Sequence, residues 1–399
     1  MSQQTATFDP ISFVSALVDT YGEQGASDIH LTPDRGVFFV QDKKTMQVPN
    51  MGHLPPGVIE AVVNKIVPGG VARLQELGQA GASFDANQLQ GMVRNDDGSL
   101  RQRSAFRGRV AVRQGFNGIS LTIRIISRDI PTVEKLGLPR SLAKTIERPD
   151  GLFLFVGQTG SGKSTSIAAL VNAINQNWET HIYTAEAPIE YVYPPGKSLV
   201  TQREVGMHVP TFAASIEDAK RSHPRIIVVG EILNAETARS ALLAAASGHL
   251  VVSTMHAGST AEAIDTFISM FTSDEQPLVR TQLSQVLRCI AVQKLLAKNG
   301  GGLAMAQEIA FNTRQFSQLI LGNGDRSGDM VLVQQYLLGN GRQEQMVAME
   351  HSLVKLVRDG SITEDVARAN SSDPKMIDEL LAAAELREQD QHRGGRGRR

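Results

Sequence analysis

"FVGQTGSGKSTS", Phe155 to Ser166, is the stretch that decides the fold. It places Gly157, Gly160, Gly162, Lys163 and Ser164 in the register G-x-x-x-x-G-K-[ST]. Glycines leave the backbone free to wrap phosphate groups with its N–H donors. The apolar run "GLFLFVG" before it reads as a strand, and "STSIAALVNAINQN" after it reads as a helix. A helix that starts near Lys163 points its positive end at the phosphates. Lys163 is placed to reach the β- and γ-phosphates, and Ser164 to hold Mg²⁺; Ser161 and Thr165 complete the loop. The expected ligands are therefore ATP and Mg²⁺.

Downstream, "HIYTAEAP", "RIIVVGE" and "HLVVSTMH" are three further apolar strands, with "AETARSALLAAASG" as a helix between the last two. β-branched strands alternating with helices mean a buried, largely parallel sheet. In such sheets ligands bind beyond the carboxyl ends of the strands. Glu231 falls just past one strand end, where a carboxylate can orient an attacking water or support the metal shell. Glu186 falls past another and offers a second carboxylate, with Glu190 a lesser candidate nearby. His256 ends the fourth strand, where an imidazole can contact a γ-phosphate. His249 opens that strand from the opposite end and reads as structural. After about residue 270 the pattern is mostly helical.

Upstream, residues 1–128 read as a small mixed domain. "PISFVSALVDTYGEQ" has helical spacing, and "ASDIHLTP" and "GVFFVQ" are short strands joined by a turn. "RSAFRGRVAVRQGFNGISLTIRIIS" is a hairpin turning at "GFNG". Arg107, Arg109 and Arg113 share one face of its first strand, and Arg124 sits in the second. They form either a solvated sheet face or a set of arginines aimed at nucleotide phosphates. Residues 129–140 are read as a linker, 141–385 as the nucleotide-binding domain and 386–399 as an Arg/Gly-rich disordered tail.

The 399 residues, 41% hydrophobic and 20% charged, suit two or three globular domains. A net charge of −1 gives no global pull toward nucleic acid, although the tail "HRGGRGRR" is basic. Cys289 is the single cysteine, which excludes an internal disulfide or a cysteine zinc cage. No run approaches ~18 apolar residues, and the N-terminus lacks a signal-peptide pattern. The expected location is the cytoplasm, with any membrane association made through partners.

Taken in order, these stretches resemble the secretion and pilus ATPases, in particular the PilT-like group. "ASDIHLTP", "RGRVAVRQ…ISLTIRIIS", "IPTVEKLGLP", "GQTGSGKST", "TAEAPIEYVY" and "IIVVGEILNAETARSALLAAASGHLVVSTMHAGSTAEAID" carry the resemblance, over about residues 20–375. It implies an α/β chain: an N-terminal PAS-like α+β domain followed by a RecA-like P-loop ATPase domain with a helical C-terminal part. It further implies a homohexameric motor peripheral to the bacterial inner membrane, working with components of a pilus, secretion or conjugation machine. By position, Glu231 is the Walker B carboxylate, Glu186 the acidic-box residue that activates water, and His256 the residue near the γ-phosphate. Arg109 and Arg124 are the nucleotide-facing arginines.

The chain departs from the pilus pattern in two places. It has "EAPIE" where those members carry EDPIE, and "GEILN" where they carry GEMRD, so Ala187, Leu233 and Asn234 replace polar residues. "EAPIEYVY" and "HVPTFAAS" resemble the type IVB secretion and conjugative-transfer branch (DotB-like, TraJ-like) and tilt the reading toward it over pilus retraction. "RQFSQLI" stands where pilus members carry an AIR motif. Two other readings stay open: a nucleotide-gated adaptor with little turnover, and a nucleic-acid motor.

Overall fold

The computed structural model describes residues 8–394 except 34, 42–43, 85–91, 95–99, 103–105, 128 and 323–328. The chain divides into two compact units, with the main boundary between Ile130 and Pro131.

The first unit is a sheet with helices on one face. Helix α1 (Pro10–Glu23) begins at Asp9, whose carboxylate accepts the Ile11 and Ser12 N–H groups, with Pro10 in the first turn. Strands β1 (Asp28–Thr32), β2 (Gly36–Gln41) and β3 (Lys44–Gln47) form an antiparallel meander. Helices α2 (Pro56–Ile66) and α3 (Gly70–Leu77) follow, then β4 (Gln79–Phe84) and the short pair β5 (Met92–Arg94) and β6 (Leu100–Gln102). The long strands β7 (Phe106–Gly115) and β8 (Gly118–Ser127) close the sheet in the order β3-β2-β1-β8-β7-β4. Alternation along the strands sends Ile29, Leu31, Val110, Val112, Leu121 and Ile123 into a core with Val14, Leu17, Val18, Ile59, Val62 and Val63 of the helices.

The second unit is built around a seven-stranded sheet. Helix α4 (Arg140–Thr145) leads to β9 (Gly151–Val156), the phosphate loop and α5 (Lys163–Asn177). Then come β10 (His181–Glu186), β11 (Leu199–Glu204), α6 (Phe212–Arg221), β12 (Ile226–Val229), α7 (Ala235–Ala246) and β13 (Leu250–Met255). Helices α8 (Thr260–Ser269) and α9 (Gln276–Val286) precede β14 (Leu287–Ala297) and β15 (Leu303–Phe311). The strand order is β11-β10-β12-β13-β9-β14-β15, with every pair parallel except β14 and β15. Every residue of β9, β12 and β13 is buried, because helices cover both faces. Leu152, Leu154 and Val156 pack with Leu242 and Phe267 on one face. Phe153 and Phe155 pack with Leu170 and Ile174 of α5 on the other.

The segment after residue 270 is mostly helical, as expected, but it also contributes two strands that the sequence reading did not mark. The β14–β15 hairpin extends the sheet, and helices α10 (Arg314–Leu321), α11 (Asp329–Gly339), α12 (Met349–Arg358), α13 (Glu364–Asn370) and α14 (Pro374–Gly394) follow it. β14 is apolar on both faces because it pairs with β9 inside the sheet, so its run lacks the period-2 alternation of a half-exposed strand. Residues 131–140, read as linker, fold onto the second unit, with Val133 and Leu138 buried in the Phe153–Phe155 core. Helix α14 runs through the start of the segment read as a disordered tail, and residues 395–399 lie outside the described residues. Among the described residues, no helix is long and apolar enough to cross a membrane.

Candidate functional site

The phosphate loop connects β9 to α5, as the sequence places it. Gly157, Gly160 and Gly162 have φ of 151°, 79° and 90°, in the region that side chains avoid. Gly157 has no room either: a Cβ there would stand 2.5 Å from the Gln293 carbonyl and 2.5 Å from Ser161 Oγ. The Lys163 ammonium is buried and donates to the Gly157 carbonyl at 2.6 Å and the Gln158 carbonyl at 2.9 Å. These bonds curl the lysine back over its own loop. Ser161 Oγ is buried without a hydrogen-bond partner among the described residues. A buried donor left unsatisfied is unfavourable, and a phosphate oxygen would satisfy it. Together with the open N-terminus of α5, this is a cradle that fits a nucleotide phosphate chain. Ser164 is exposed at the first turn of that helix, where its hydroxyl is available to a cation carried on phosphate oxygens. Mg²⁺ bound in that way needs only one or two protein ligands, for which Ser164 and Glu231 have suitable oxygens.

The acids and the histidine lie along the same end of the sheet. β13 is the neighbour of β9, β12 of β13, and β10 of β12. Met255 pairs with Val156, so His256 stands level with Gly157. Val229 pairs with Ser253 and with Ala185, which brings Glu231, His256 and Glu186 to three adjacent strand ends. His256 Nε2 and Glu231 Oε2 are 3.7 Å apart, outside hydrogen-bond range, with the imidazole 46% and the carboxylate 32% exposed. The backbone behind them is fixed: Ile232 N–H donates to the Thr254 carbonyl, and the Thr254 hydroxyl to the Gly230 carbonyl. Beyond Glu231, Asn234 caps α7 by accepting the Thr237 N–H at 2.9 Å, and Leu233 is exposed.

Glu186 is held by two residues that the sequence does not single out. The Thr184 hydroxyl donates to Glu186 Oε1 at 2.6 Å, and the Gln202 amide donates to the same oxygen at 3.1 Å. Thr184 was findable, since two residues along a strand is the same face. Gln202 was not, because it comes from β11, where it pairs in register with Thr184. A second unmarked feature is the β14–β15 hairpin. The Gln293 amide donates to Ser166 of α5 at 2.9 Å, and Leu295 and Met305 stand beside Gly162. His249 is structural, as read: its Nδ1 lies 2.7 Å from the Pro224 carbonyl.

Arg109 and Arg124 belong to the first unit and are paired directly across β7 and β8. Both are exposed, and Arg124 Nε donates to Asp28 Oδ1 at 3.1 Å across the β1–β8 pair. Arg113 shares their face and is exposed, whereas Arg107 is buried.

Comparison with known proteins agrees with this arrangement. The family model described as "Type II/IV secretion system protein" matches residues 98–371, more than half of the chain. The type IV pilus retraction ATPase PilT of Pseudomonas aeruginosa is 32% identical over 363 residues, covering 91% of this chain and 99% of that protein. The crystal structure of the pilus retraction motor PilT with bound ADP superposes with a TM-score of 0.78 at 33% identity, covering 92% of this chain and 99% of the other. The ATPase DotB of Legionella pneumophila shares the fold, with a TM-score of 0.74 at 24% identity over 92% of this chain and 97% of its own. A family match of this extent, together with full-length similarity to PilT, shows that the chain belongs to the type II/IV secretion NTPase superfamily.

Proposed function

We propose that the protein is an ATP-hydrolysing ring motor that drives a type IV pilus or a type IV secretion machine from the cytoplasmic side of the inner membrane. The observation that carries the reading is the row of strand ends beside the phosphate loop, where Glu186, Glu231 and His256 are side by side. In this reading Lys163 leaves the Gly157 and Gln158 carbonyls and pairs with the β- and γ-phosphates, while Ser161, Thr165 and the loop N–H groups hold the remaining oxygens. Glu231 orients the attacking water. Glu186, already a hydrogen-bond acceptor for Thr184 and Gln202, is the second carboxylate that polarises it. His256 faces the γ-phosphate and reports its loss. A bound Mg²⁺, held by Ser164 with Glu231 at its shell, would neutralise charge on the phosphates. The first unit is proposed to be the PAS-like domain, with Arg109 and Arg124 its nucleotide-facing arginines. For Arg124 that role requires release from Asp28 or sharing with it.

Within the family, the 32–33% identity to PilT across nearly the whole chain supports a retraction-type motor. The type IVB secretion branch is the second reading, favoured by "EAPIEYVY" and "HVPTFAAS" and by the shared fold of DotB. The assembly is proposed to be a homohexamer. Purified protein with ATP should release phosphate, and light scattering with a non-hydrolysable ATP analogue should give six copies. A monomer at high concentration together with no phosphate release would overturn the motor reading.

A further inference from the structure

Glu308 lies in the middle of β15 and is 1% exposed, on a strand face whose other residues are Ala304, Ala306 and Ala310, all buried. A buried carboxylate there disfavours folding unless hydrogen bonds offset its lost hydration. Its Oε1 accepts the Thr260 N–H at 2.7 Å, and the Met349 N–H, at the start of α12, favours its charged form. Burial pushes the Glu308 carboxyl above its usual range, and the neighbouring Glu350 pushes in the same direction. Glu350 is buried as well, and its Oε1 accepts the Ser371 and Ser372 hydroxyls at 3.2 and 3.0 Å.

Thr260 opens α8, four residues beyond His256. The turn between them is fastened by three acceptors. The Ser259 hydroxyl takes the Glu262 N–H at 3.2 Å, the Glu262 carboxylate takes the Gly258 N–H at 2.6 Å, and Glu308 takes the Thr260 N–H. The first two are local and form a variant of the capping box, in which Glu262 takes the N–H of Gly258, one residue before the cap Ser259. Only Glu308 comes from elsewhere in the chain, and it reaches the first turn of α12 too. We propose that Glu308 is a positioning residue: it anchors the turn behind His256 to the start of the Met349–Arg358 helix, so that the imidazole works from a fixed base and a change at the γ-phosphate is passed to the C-terminal helices. This rests on the ATPase reading above, in which His256 faces the γ-phosphate.

The test uses the full chain with Glu308→Ala and Glu308→Gln. Hydrogen exchange is followed in peptides spanning 256–263 and, as a control, 157–165. Affinity for a fluorescent ATP analogue, kcat and KM are measured on the same samples. In Glu308→Ala, exchange around Thr260 should speed up by about tenfold, as expected when a buried N–H loses its hydrogen-bond acceptor. Phosphate-loop exchange should stay unchanged, analogue affinity and KM should stay within about twofold, and kcat should fall by about fivefold or more. Glu308→Gln keeps one carbonyl acceptor and should fall between the alanine variant and the wild type; it decides the matter by the same readouts if the alanine variant does not fold. Unchanged exchange around Thr260, or wild-type kcat in a folded variant, would overturn the proposal. So would a uniform rise in exchange that includes the phosphate loop, because that marks a general packing role. If the wild type itself releases no phosphate, the ATPase reading fails, and the exchange experiment still decides whether Glu308 holds the turn.

Discussion

The phosphate loop and the Glu231–His256 pair stand at the same end of one sheet, yet they are held in opposite ways. The loop is locked. Its lysine is buried on two carbonyls of the same loop, and a side chain at Gly157 would meet the Gln293 backbone. The pair is open. Its side chains are part-exposed and 3.7 Å apart, although the strands that carry them are fully buried. The loop backbone is therefore set before a nucleotide arrives, with the Lys163 side chain left to turn toward the phosphates in the reading above, whereas the Glu231 and His256 side chains have freedom to close on a bound nucleotide. Electrostatic preorganisation lowers a barrier only where it meets charge that develops in the transition state. The contrast predicts that damage to the loop will show in affinity and damage to the strand ends will show in turnover.

The largest effect is expected at Lys163. Lys163→Ala removes the cation for the phosphates, and nucleotide affinity should fall by about 100-fold or more when measured with a fluorescent analogue. Wild-type affinity in that variant would break the loop side of the contrast. Gly157→Ala should come next. The added methyl meets a backbone carbonyl and a buried hydroxyl at 2.5 Å, so the loop must shift. A loss of affinity of about tenfold is expected, together with a lower melting temperature. Normal binding and melting would show that the loop is less rigid than its geometry implies.

Strand-end changes should act on the other parameter. His256→Ala should lower kcat by about tenfold with KM nearly unchanged, because its proposed task is to respond to the γ-phosphate rather than to hold the nucleotide. A rise in KM alone would move His256 to the binding side. The smallest effect is expected at Thr184→Val, which removes one donor on Glu186 and leaves Gln202 in place. A drop in kcat of about threefold should follow, deepening when Gln202→Leu is added, because hydrogen bonds to one charged acceptor are not independent. Additive losses would argue against a shared task.

How much of this the sequence revealed depends on the distance over which each feature is encoded. The strand-end positions of the phosphate loop, Glu231 and His256 were legible because each is written in one short run: an apolar strand, then a polar residue or loop at its end. The β14–β15 hairpin was not, because "LRCIAVQKLLA" is apolar on both faces and carries no alternation. Its one local signal was "NGGG" at 299–302, a turn between two apolar runs. Gln202 beside Glu186 and Asp28 beside Arg124 were invisible for another reason. Strand pairing brings them together from 16 and 96 residues away, and no local pattern records that. The partial match to the secretion branch at Ala187 shows the same limit, since a single substituted position does not name the machine that the motor serves.

The most direct test of the contrast is to measure ATP-analogue affinity and phosphate release together on the wild type and on Glu231→Gln. The amide preserves shape and removes the charge that would orient water. Affinity should stay within about twofold of the wild type, and turnover should fall by about 100-fold or more. Equal turnover in the two proteins, or a loss of affinity as large as the loss of turnover, would contradict the contrast.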